Sequence, residues 1–132
     1  MSTPAWAPTP HLIAPQPRLR PSLFDPVARL AGLMPNWDGY QGKPPSAAVL
    51  KMTIRVLAAL PPQVPDPEVL PSTDGGVLLE WDMSGVELLL GLDDQALHTA
   101  VVSIDGSGEQ EGPAVGLHDA IVDALVTLAD RA

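Results

Sequence analysis

Hydrophobic residues recur at helical spacing most clearly in the segment that follows Ser46, SAAVLKMTIRVLAAL. Leu50, Ile54 and Leu57 lie three to four positions apart, and with Val49, Val56 and Leu60 they form one broad apolar stripe. Ser46 has the side chain of an N-cap, and the Pro61-Pro62 pair stops the pattern. The pattern therefore predicts a helix over residues 46–60.

Two further segments predict helices. Asp25-Pro26 has the form of an N-cap followed by a proline at the first helical position, so a short helix is expected over 26–34, before Pro35. The closing segment, PAVGLHDAIVDALVTLADRA, is amphipathic and predicts a helix over 115–131. Its apolar stripe consists of Leu117, Ile121, Leu125 and Leu128.

Apolar runs in the middle of the chain predict strands. VLLEW, VELLLGL and ALHTAVVSI are separated by short turn segments, which is typical of an antiparallel meander. Ser84-Gly85 suits a two-residue hairpin turn, because glycine adopts positive φ without strain. This turn pairs three apolar positions on one face: Met83 with Val86, Trp81 with Leu88, and Leu79 with Leu90.

The opposite face of the predicted sheet is mixed. It carries Leu78, Glu80, Asp82, Glu87, Leu89 and Gly91. The apolar face must meet the helices, whereas the two leucines on the mixed face indicate a second cover, such as another subunit.

These elements predict an α+β fold, in which a three-stranded antiparallel meander is packed on one face by about three helices. The single domain is expected over 22–132. Residues 1–21 contain six prolines and predict a flexible arm, although PQPRLRP could also be a docking peptide in polyproline II form. The segment PPQVPDPEVLPSTDGG is interpreted as a connector and DGSGEQEG as a flexible acidic loop.

Composition removes several classes of site. The 132 residues include no cysteine, which excludes a disulfide framework, a thiolate metal site and a cysteine nucleophile. The N-terminal segment has no signal-peptide pattern, and no apolar run is long enough to cross a bilayer. We expect a cytoplasmic protein that does not bind membranes.

Charge divides the chain into two halves. The net charge is −9, yet residues 1–62 hold six basic against two acidic residues, whereas residues 63–132 hold 14 acids against Arg131 alone. Such asymmetry can mark a partner surface or simply keep a protein soluble. An acidic second half argues against direct binding to nucleic acid, because phosphates require a basic surface.

The loop PNWDGYQGKPPS concentrates two of the five aromatic residues. Trp37 is expected to be mostly buried over the sheet with its N–H on a carbonyl, while Asn36 or Asp38 forms an Asx turn and Gly39 supplies a turn position. The alternative is a recognition loop that presents Tyr40 and Lys43.

With the helix that follows it and the segment DGGVLLEW, this loop resembles a pattern in small bacterial and phage-borne proteins that have no settled activity. They read Asn-Trp-Asp-Gly-x-Gly-Ala-x-Pro, then a helix, then an Asp-Gly-x-x-x-Leu-x-Trp strand. The resemblance covers residues 34–92 and departs at Gln41 and at Gly42-Lys43, where Gly-Ala is expected. The resemblance implies a shared fold, but it implies no activity and assigns no functional residues.

Acidic side chains are the remaining candidates. Asp119, Asp123 and Asp130 fall within about 40° on the closing helix and form one ridge. The two-residue turn places Asp82 opposite Glu87, whereas a four-residue loop would place Glu80 there; either pair could begin an acid/base site. His11, His98 and His118 lack metal spacing, so neither a metal nor a cofactor is expected.

The sequence thus favours a non-enzymatic interaction module, an acidic inhibitor, antitoxin-like protein or adaptor. Its protein partner is expected to be basic, for example a nuclease or a nucleic-acid-binding complex. The alternatives are a self-assembling component that dimerises through the mixed sheet face, and a small hydrolase that uses a carboxylate pair. The expected contacts are Asp119, Asp123, Asp130, Glu80, Glu87, Tyr40 and Lys43, with Trp37, Asp38, Gly39 and Trp81 as structural residues.

Overall fold

Five antiparallel strands in sequential order form one sheet in the computed structural model, which describes residues 18–132. The strands are β1 (Glu68–Pro71), β2 (Val77–Met83), β3 (Val86–Leu92), β4 (Leu97–Ile104) and β5 (Gln110–Pro113). The α+β class is confirmed, but the prediction of a three-stranded sheet is wrong because β1 and β5 extend the meander at its two edges.

Both additional strands arise from segments that had been interpreted as loops. Each is four residues long, and prolines border them, with Pro71 closing β1 and Pro113 closing β5. An edge strand needs hydrogen bonds on one side only, so a proline can be accommodated there. Prolines also hinder pairing of an edge with another molecule.

The two-residue turn sets the register of the central hairpin as predicted. Ser84 and Gly85 both have positive φ, 55° and 78°. Met83 pairs with Val86, and the pairing continues without a break to Val77 with Leu92. This register places Asp82 opposite Glu87, so the alternative four-residue loop is wrong.

Three helices accompany the sheet. A 3-10 turn over Pro21–Leu23 leads into α1 (Phe24–Ala31), so α1 begins and ends before the predicted bounds and Leu23, not Asp25, is its N-cap. Pro26 lies in the first helical turn, where its missing N–H would have no helical partner.

The other two helices lie close to the predicted positions. α2 spans Ala47–Ala58, and the Ser46 side chain accepts a hydrogen bond of 3.2 Å from the Val49 N–H, which confirms the predicted cap. α3 spans His118–Arg131 and follows a 3-10 turn over Ala114–Leu117. No helix of residues 18–132 has the length and apolar character to cross a membrane.

The core lies between the helices and one face of the sheet, called here the inner face. Trp81 on β2 is fully buried there, as predicted, and its indole N–H donates to the Pro65 carbonyl at 2.8 Å. The strands contribute Val77, Leu79, Val86, Leu88, Leu90, Leu92, Ala100 and Val102, and the helices contribute Val27, Leu30, Val49, Leu57, Ile121, Ala124 and Leu128.

The predicted N-terminal arm lies mostly outside the described residues, as does His11. Its last residues contact the domain: Leu19 packs against the core, and the Arg20 guanidinium donates to the carbonyls of Pro61 and Val64. Arg20 also forms an ion pair of 3.0 Å with Asp66.

Candidate partner-binding surface

The face of the sheet opposite the helices, called here the outer face, is acidic. Side chains that are directly paired across strands lie on the same face. One such row runs across all five strands, from Glu68 through Glu80, Leu89 and Val101 to Glu111. Asp82 and Glu87 form the neighbouring pair. None of the five strands contains Lys or Arg, so the outer face is negatively charged.

The centre of the outer face is apolar. Leu78, Leu89 and Val101 are half-buried there, whereas Asp82 and Glu87 are exposed. A shallow concavity of about 260 Å³ lies over this centre, lined by Leu89, Val101, Glu80, Asp82, Glu87 and Glu109. The surface is therefore an apolar patch bordered by carboxylates.

These carboxylates form no ion pair with a basic side chain among residues 18–132. The ion pairs of the described chain join Arg20 to Asp66, His98 to Asp93 and Arg131 to Asp105, and none of them involves an acid of the outer face. Like charges that face each other across strands are destabilising. The outer face therefore retains an uncompensated negative charge that a basic partner could neutralise.

The predicted acidic ridge lies elsewhere. Asp119, Asp123 and Asp130 are exposed on α3, which buries Ile121, Ala124 and Leu128 in the core under the inner face. The ridge and the outer face thus lie on opposite sides of the sheet. The residues predicted to bind a partner do not form one surface.

The aromatic loop is held by its own polar groups. The Trp37 indole N–H donates to the Lys43 carbonyl at 3.0 Å, as predicted, and the Asn36 side chain accepts from the Gln41 N–H at 2.7 Å. Asp38 Oδ1 accepts from the N–H groups of Tyr40 and Gly42 at 2.9 and 2.7 Å. These two bonds hold the pKa of Asp38 below its usual range.

Burial within this loop differs from the prediction. Trp37 is half-buried rather than mostly buried, in a loop whose other residues are mostly exposed. Tyr40 is 89% exposed, and Gly39 has a positive φ of 77°. The Lys43 N–H donates to the Thr73 carbonyl at 3.0 Å, which fastens the loop to the β1–β2 turn.

A polar cleft that the sequence did not reveal lies where the aromatic loop, the β1–β2 turn and the β3–β4 turn meet. Its volume is about 620 Å³, and its polar lining includes Lys43, Ser46, Ser72, Asp74, Asp93, Asp94, His98 and Thr99. In a meander, alternate turns lie at the same end of the sheet. Recognition of β1 would therefore have brought these turns together.

Two carboxylates of the cleft, those of Asp74 and Asp93, accept hydrogen bonds within their turns. Hydrogen bonds from the Ser72 side chain and the Gly76 N–H lower the pKa of Asp74, and bonds from the N–H groups of Ala96 and Gln95 lower that of Asp93. His98 Nδ1 lies 3.8 Å from Asp93 Oδ2, which is long for an ion pair. Among residues 18–132 no group of three His, Asp or Glu side chains is placed to hold a metal ion.

Comparison of the chain with protein-family models, with curated proteins and with solved structures found no match. The resemblance of residues 34–92 to small bacterial and phage-borne proteins stays a prediction.

Proposed function

We propose that the protein is a non-enzymatic interaction module that binds a basic protein partner through the outer face of its sheet. It would act as an inhibitor, an antitoxin-like neutraliser or an adaptor. The observation that carries the proposal is the half-buried apolar centre of Leu89 and Val101 inside a border of carboxylates that form no ion pair among residues 18–132.

This arrangement matches the anatomy of a protein interface. Stable interfaces combine an apolar core with a polar rim. A carboxylate rim attracts Lys and Arg side chains over long distances and raises the rate of association with a basic partner. A nuclease or a nucleic-acid-binding protein presents such a basic surface to phosphates, and the carboxylates would take the place of those phosphates.

The same charges disfavour the two alternative functions. Dimerisation through the outer face would place the acids of one copy against those of the other, which costs energy in an interface.

A hydrolase needs a carboxylate whose pKa is tuned by burial or by its neighbours. Asp82 and Glu87 lie exposed at the end of a hairpin, where water screens their interaction.

The proposal is tested by capture of partners from the native cell with the wild-type chain and two charge variants. Glu80→Lys with Glu87→Lys changes the outer face, and Asp119→Lys with Asp123→Lys makes the same change in net charge on α3. We expect the first variant to lose the captured protein by at least about tenfold, a change of about 1.4 kcal/mol, and the second to retain it.

Salt provides the second arm of this experiment. Capture that depends on the carboxylate rim weakens as ionic strength rises, because counter-ions screen the attraction. Equal loss in both variants would show that only net charge matters. Loss confined to the α3 variant would move the interface to the ridge and contradict the proposal.

A further inference from the structure

An apolar groove lies on the opposite side of the sheet from the outer face, between α3 and the segment that follows α2. Val122 and Val126 of α3 are 41% and 52% exposed there. The groove has a volume of about 440 Å³, and its apolar lining consists of Pro61, Val64, Val122, Leu125, Val126 and Ala129. Concave apolar surfaces of this kind are typical of sites that bind another molecule.

The acidic ridge of α3 borders this groove. At 100° per residue, Asp119, Asp123 and Asp130 lie beside Val122 and Val126, and the five positions together span about 100° of the helix surface. All three carboxylates are exposed, and none of them takes part in an ion pair among residues 18–132. The α3 side of the groove therefore combines aliphatic contacts with uncompensated negative charge.

The opposite wall of the groove is neutral and fixed in position. It is formed by Pro61, Gln63 and Val64. The Arg20 guanidinium donates to the Pro61 and Val64 carbonyls at 2.6 and 2.5 Å, and an ion pair of 3.0 Å with Asp66 balances its charge. The Val64 N–H donates to the Pro61 carbonyl at 3.1 Å. The groove is therefore largely pre-formed.

The same hydrogen bonds restrict what can bind. The backbone groups of α3 are bonded within the helix, and those of the opposite wall are bonded to each other and to Arg20. An extended peptide would find few backbone partners in such a groove, and its own N–H and C=O groups would lose water without compensation. A helix satisfies these groups internally, so a helix fits the groove better than a strand does.

We propose that the groove binds an amphipathic helix of a partner protein, which places aliphatic side chains in the groove and Lys or Arg side chains along the acidic ridge. The groove follows α3 from Val122 to Ala129, a length of about 10 Å, which matches about two turns of a bound helix. This inference does not rest on the proposed function of the outer face. A chain with both surfaces could hold two partners on opposite sides of one sheet, as an adaptor does.

Charge favours a separate basic partner over a second copy of this chain. Each copy has a net charge of −9, so two copies repel each other as they approach. The same charge attracts a basic helix and raises its rate of association. The ridge then holds the basic flank of that helix in register with the aliphatic contacts.

Synthetic peptides added to the full-length chain test the proposal. The probe contains Leu and Lys over about 18 residues, with Leu at positions i, i+3, i+4 and i+7, so that it forms an amphipathic basic helix. One control peptide has the same composition in an order without helical period, and a second has Glu in place of Lys. We expect both controls to bind at least about tenfold more weakly than the probe.

NMR spectra of the chain locate the bound peptide. We expect the probe to shift the methyl signals of Val122 and Val126 in the groove and to leave those of Leu89 and Val101 on the outer face unchanged. Circular dichroism of the complex should show that the peptide gains helix on binding.

Variants of the groove itself provide the second arm. Val122→Ser with Val126→Ser removes aliphatic contacts at two exposed positions and adds no charge. The matched control is Val115→Ser, because Val115 is 89% exposed and does not line the groove. We expect the double variant to weaken binding of the probe by at least about tenfold and the control to leave it unchanged.

The contribution of the ridge is tested by charge variants. Asp119→Asn with Asp123→Asn should weaken binding of the probe and reduce its dependence on salt, because fewer charges remain to be screened. Glu80→Gln with Glu87→Gln makes the same change in net charge on the outer face and should have a smaller effect. Equal effects of the two variants would show that the ridge has no special role and would overturn the proposal.

Three further results would overturn it. The first is equal affinity for the three peptides, or for the wild type and the groove variant. The second is a set of shifts confined to Leu89 and Val101, which would place the peptide on the outer face and leave the proposed function standing. The third is concentration-dependent shifts of Val122 and Val126 without peptide, which would assign the groove to a second copy.

Discussion

Single aspartate and asparagine side chains organise the turns of this protein. Each accepts hydrogen bonds from backbone N–H groups two to five positions downstream: Asp38 from Tyr40 and Gly42, Asn36 from Gln41, Asp74 from Gly76, and Asp93 from Gln95 and Ala96. Short polar side chains favour such bonds because they replace a backbone acceptor. The acids of the turns are thus structural, unlike those of the outer face.

Gly85 illustrates how closely one turn is packed. Its φ is +78°, and a Cβ built there would press on the carboxylate of Asp105 and the guanidinium of Arg131. Gly106 has nearly the same φ, +72°, but open space around it. The two positions share the backbone requirement and differ in crowding.

We therefore expect Gly85→Ala to lower the free energy of unfolding more than Gly106→Ala does. Both variants incur the cost of a side chain at positive φ, and Gly85→Ala alone must also displace the ion pair. Urea denaturation of the two variants and the wild type measures the difference. Equal losses would mean that the ion pair moves aside at no cost.

At the residue scale, the sequence predicts the hydrogen bonds of the aromatic loop better than it predicts the exposed fraction of its side chains. The acceptors for Trp37 and for the N–H groups after Asp38 lie within the same loop, so their bonds follow from local turn chemistry. The exposed fraction of Trp37 depends on which distant segments cover it. The residues of the loop itself do not identify those segments.

At the scale of elements, length and position decided which strands could be predicted. β2, β3 and β4 are long, apolar and joined by recognisable turns, so their pairing followed from the pattern. β1 and β5 have four residues each and gain their structure from pairing with β2 and β4. Their prolines and acids favour loops, and tertiary pairing overrides that preference. The polar cleft at the end of the sheet went unpredicted for the same reason.

Arg131 joins three elements at the end of the sheet that lies opposite the polar cleft. Its guanidinium donates to the Ser84 carbonyl at 2.7 Å and makes two bonds of 2.8 Å with the Asp105 carboxylate. The end of α3 is thereby tied to the β2–β3 turn and to the β4–β5 loop. Paired bonds between Arg and a carboxylate have a fixed geometry that single bonds lack.

This tie predicts a dependence of stability on pH. The hydrogen bond from Arg131 holds the pKa of Asp105 below its usual value of 3.8. The folded state therefore binds fewer protons than the unfolded state. The stabilisation that the Arg131–Asp105 pair contributes is present above pH 3.8 and is lost as the pH falls through the lowered pKa of Asp105. In Asp105→Asn this contribution is absent at every pH.

We expect the urea midpoint of Asp105→Asn to fall below that of the wild type at about pH 6, and the gap to close as the pH approaches about 2. Asp119→Asn, which removes an exposed acid from α3, is the control for net charge. A gap that stays constant over this range would contradict the assignment of Asp105 as the titrating partner of Arg131.

At the scale of the whole molecule, folding separates charges that the sequence groups together. The second half of the chain holds 14 acids. In the folded chain some of them lie on the outer face, some in the turns and some on the exposed side of α3. The charge excess itself is readable from the sequence. Its division between opposite sides of the sheet follows from the packing of α3 against the apolar face, which keeps the ridge on α3 apart from the acids of the outer face.

The outer face poses a problem of specificity for the whole protein. Leu78, Leu89 and Val101 would favour contact with any apolar surface, including the same patch of a second copy. The surrounding carboxylates oppose that contact, because like charges repel and because desolvation of a charge is costly. A basic partner would remove both penalties by pairing with the carboxylates. The acids are thus expected to select the partner as well as to attract it.

This reasoning predicts that neutralising the border converts the outer face into a self-association site. In the triple variant Glu80→Gln, Asp82→Asn, Glu87→Gln the apolar centre is unchanged while the repulsion falls. We expect its dimerisation constant to tighten by at least about tenfold relative to the wild type, as measured by sedimentation velocity over a concentration series. Added salt should promote association of the wild type and affect the triple variant less, because screening substitutes for neutralisation.

The matched control is Asp119→Asn, Asp123→Asn, Asp130→Asn, which removes the same charge from α3 and leaves the outer face intact. If this control associates as strongly as the outer-face variant, net charge alone keeps the protein apart and the border has no special role. If only the outer-face variant associates, the same carboxylates that would attract a basic partner also prevent pairing of the chain with itself, since both effects arise from one negative border around one apolar centre.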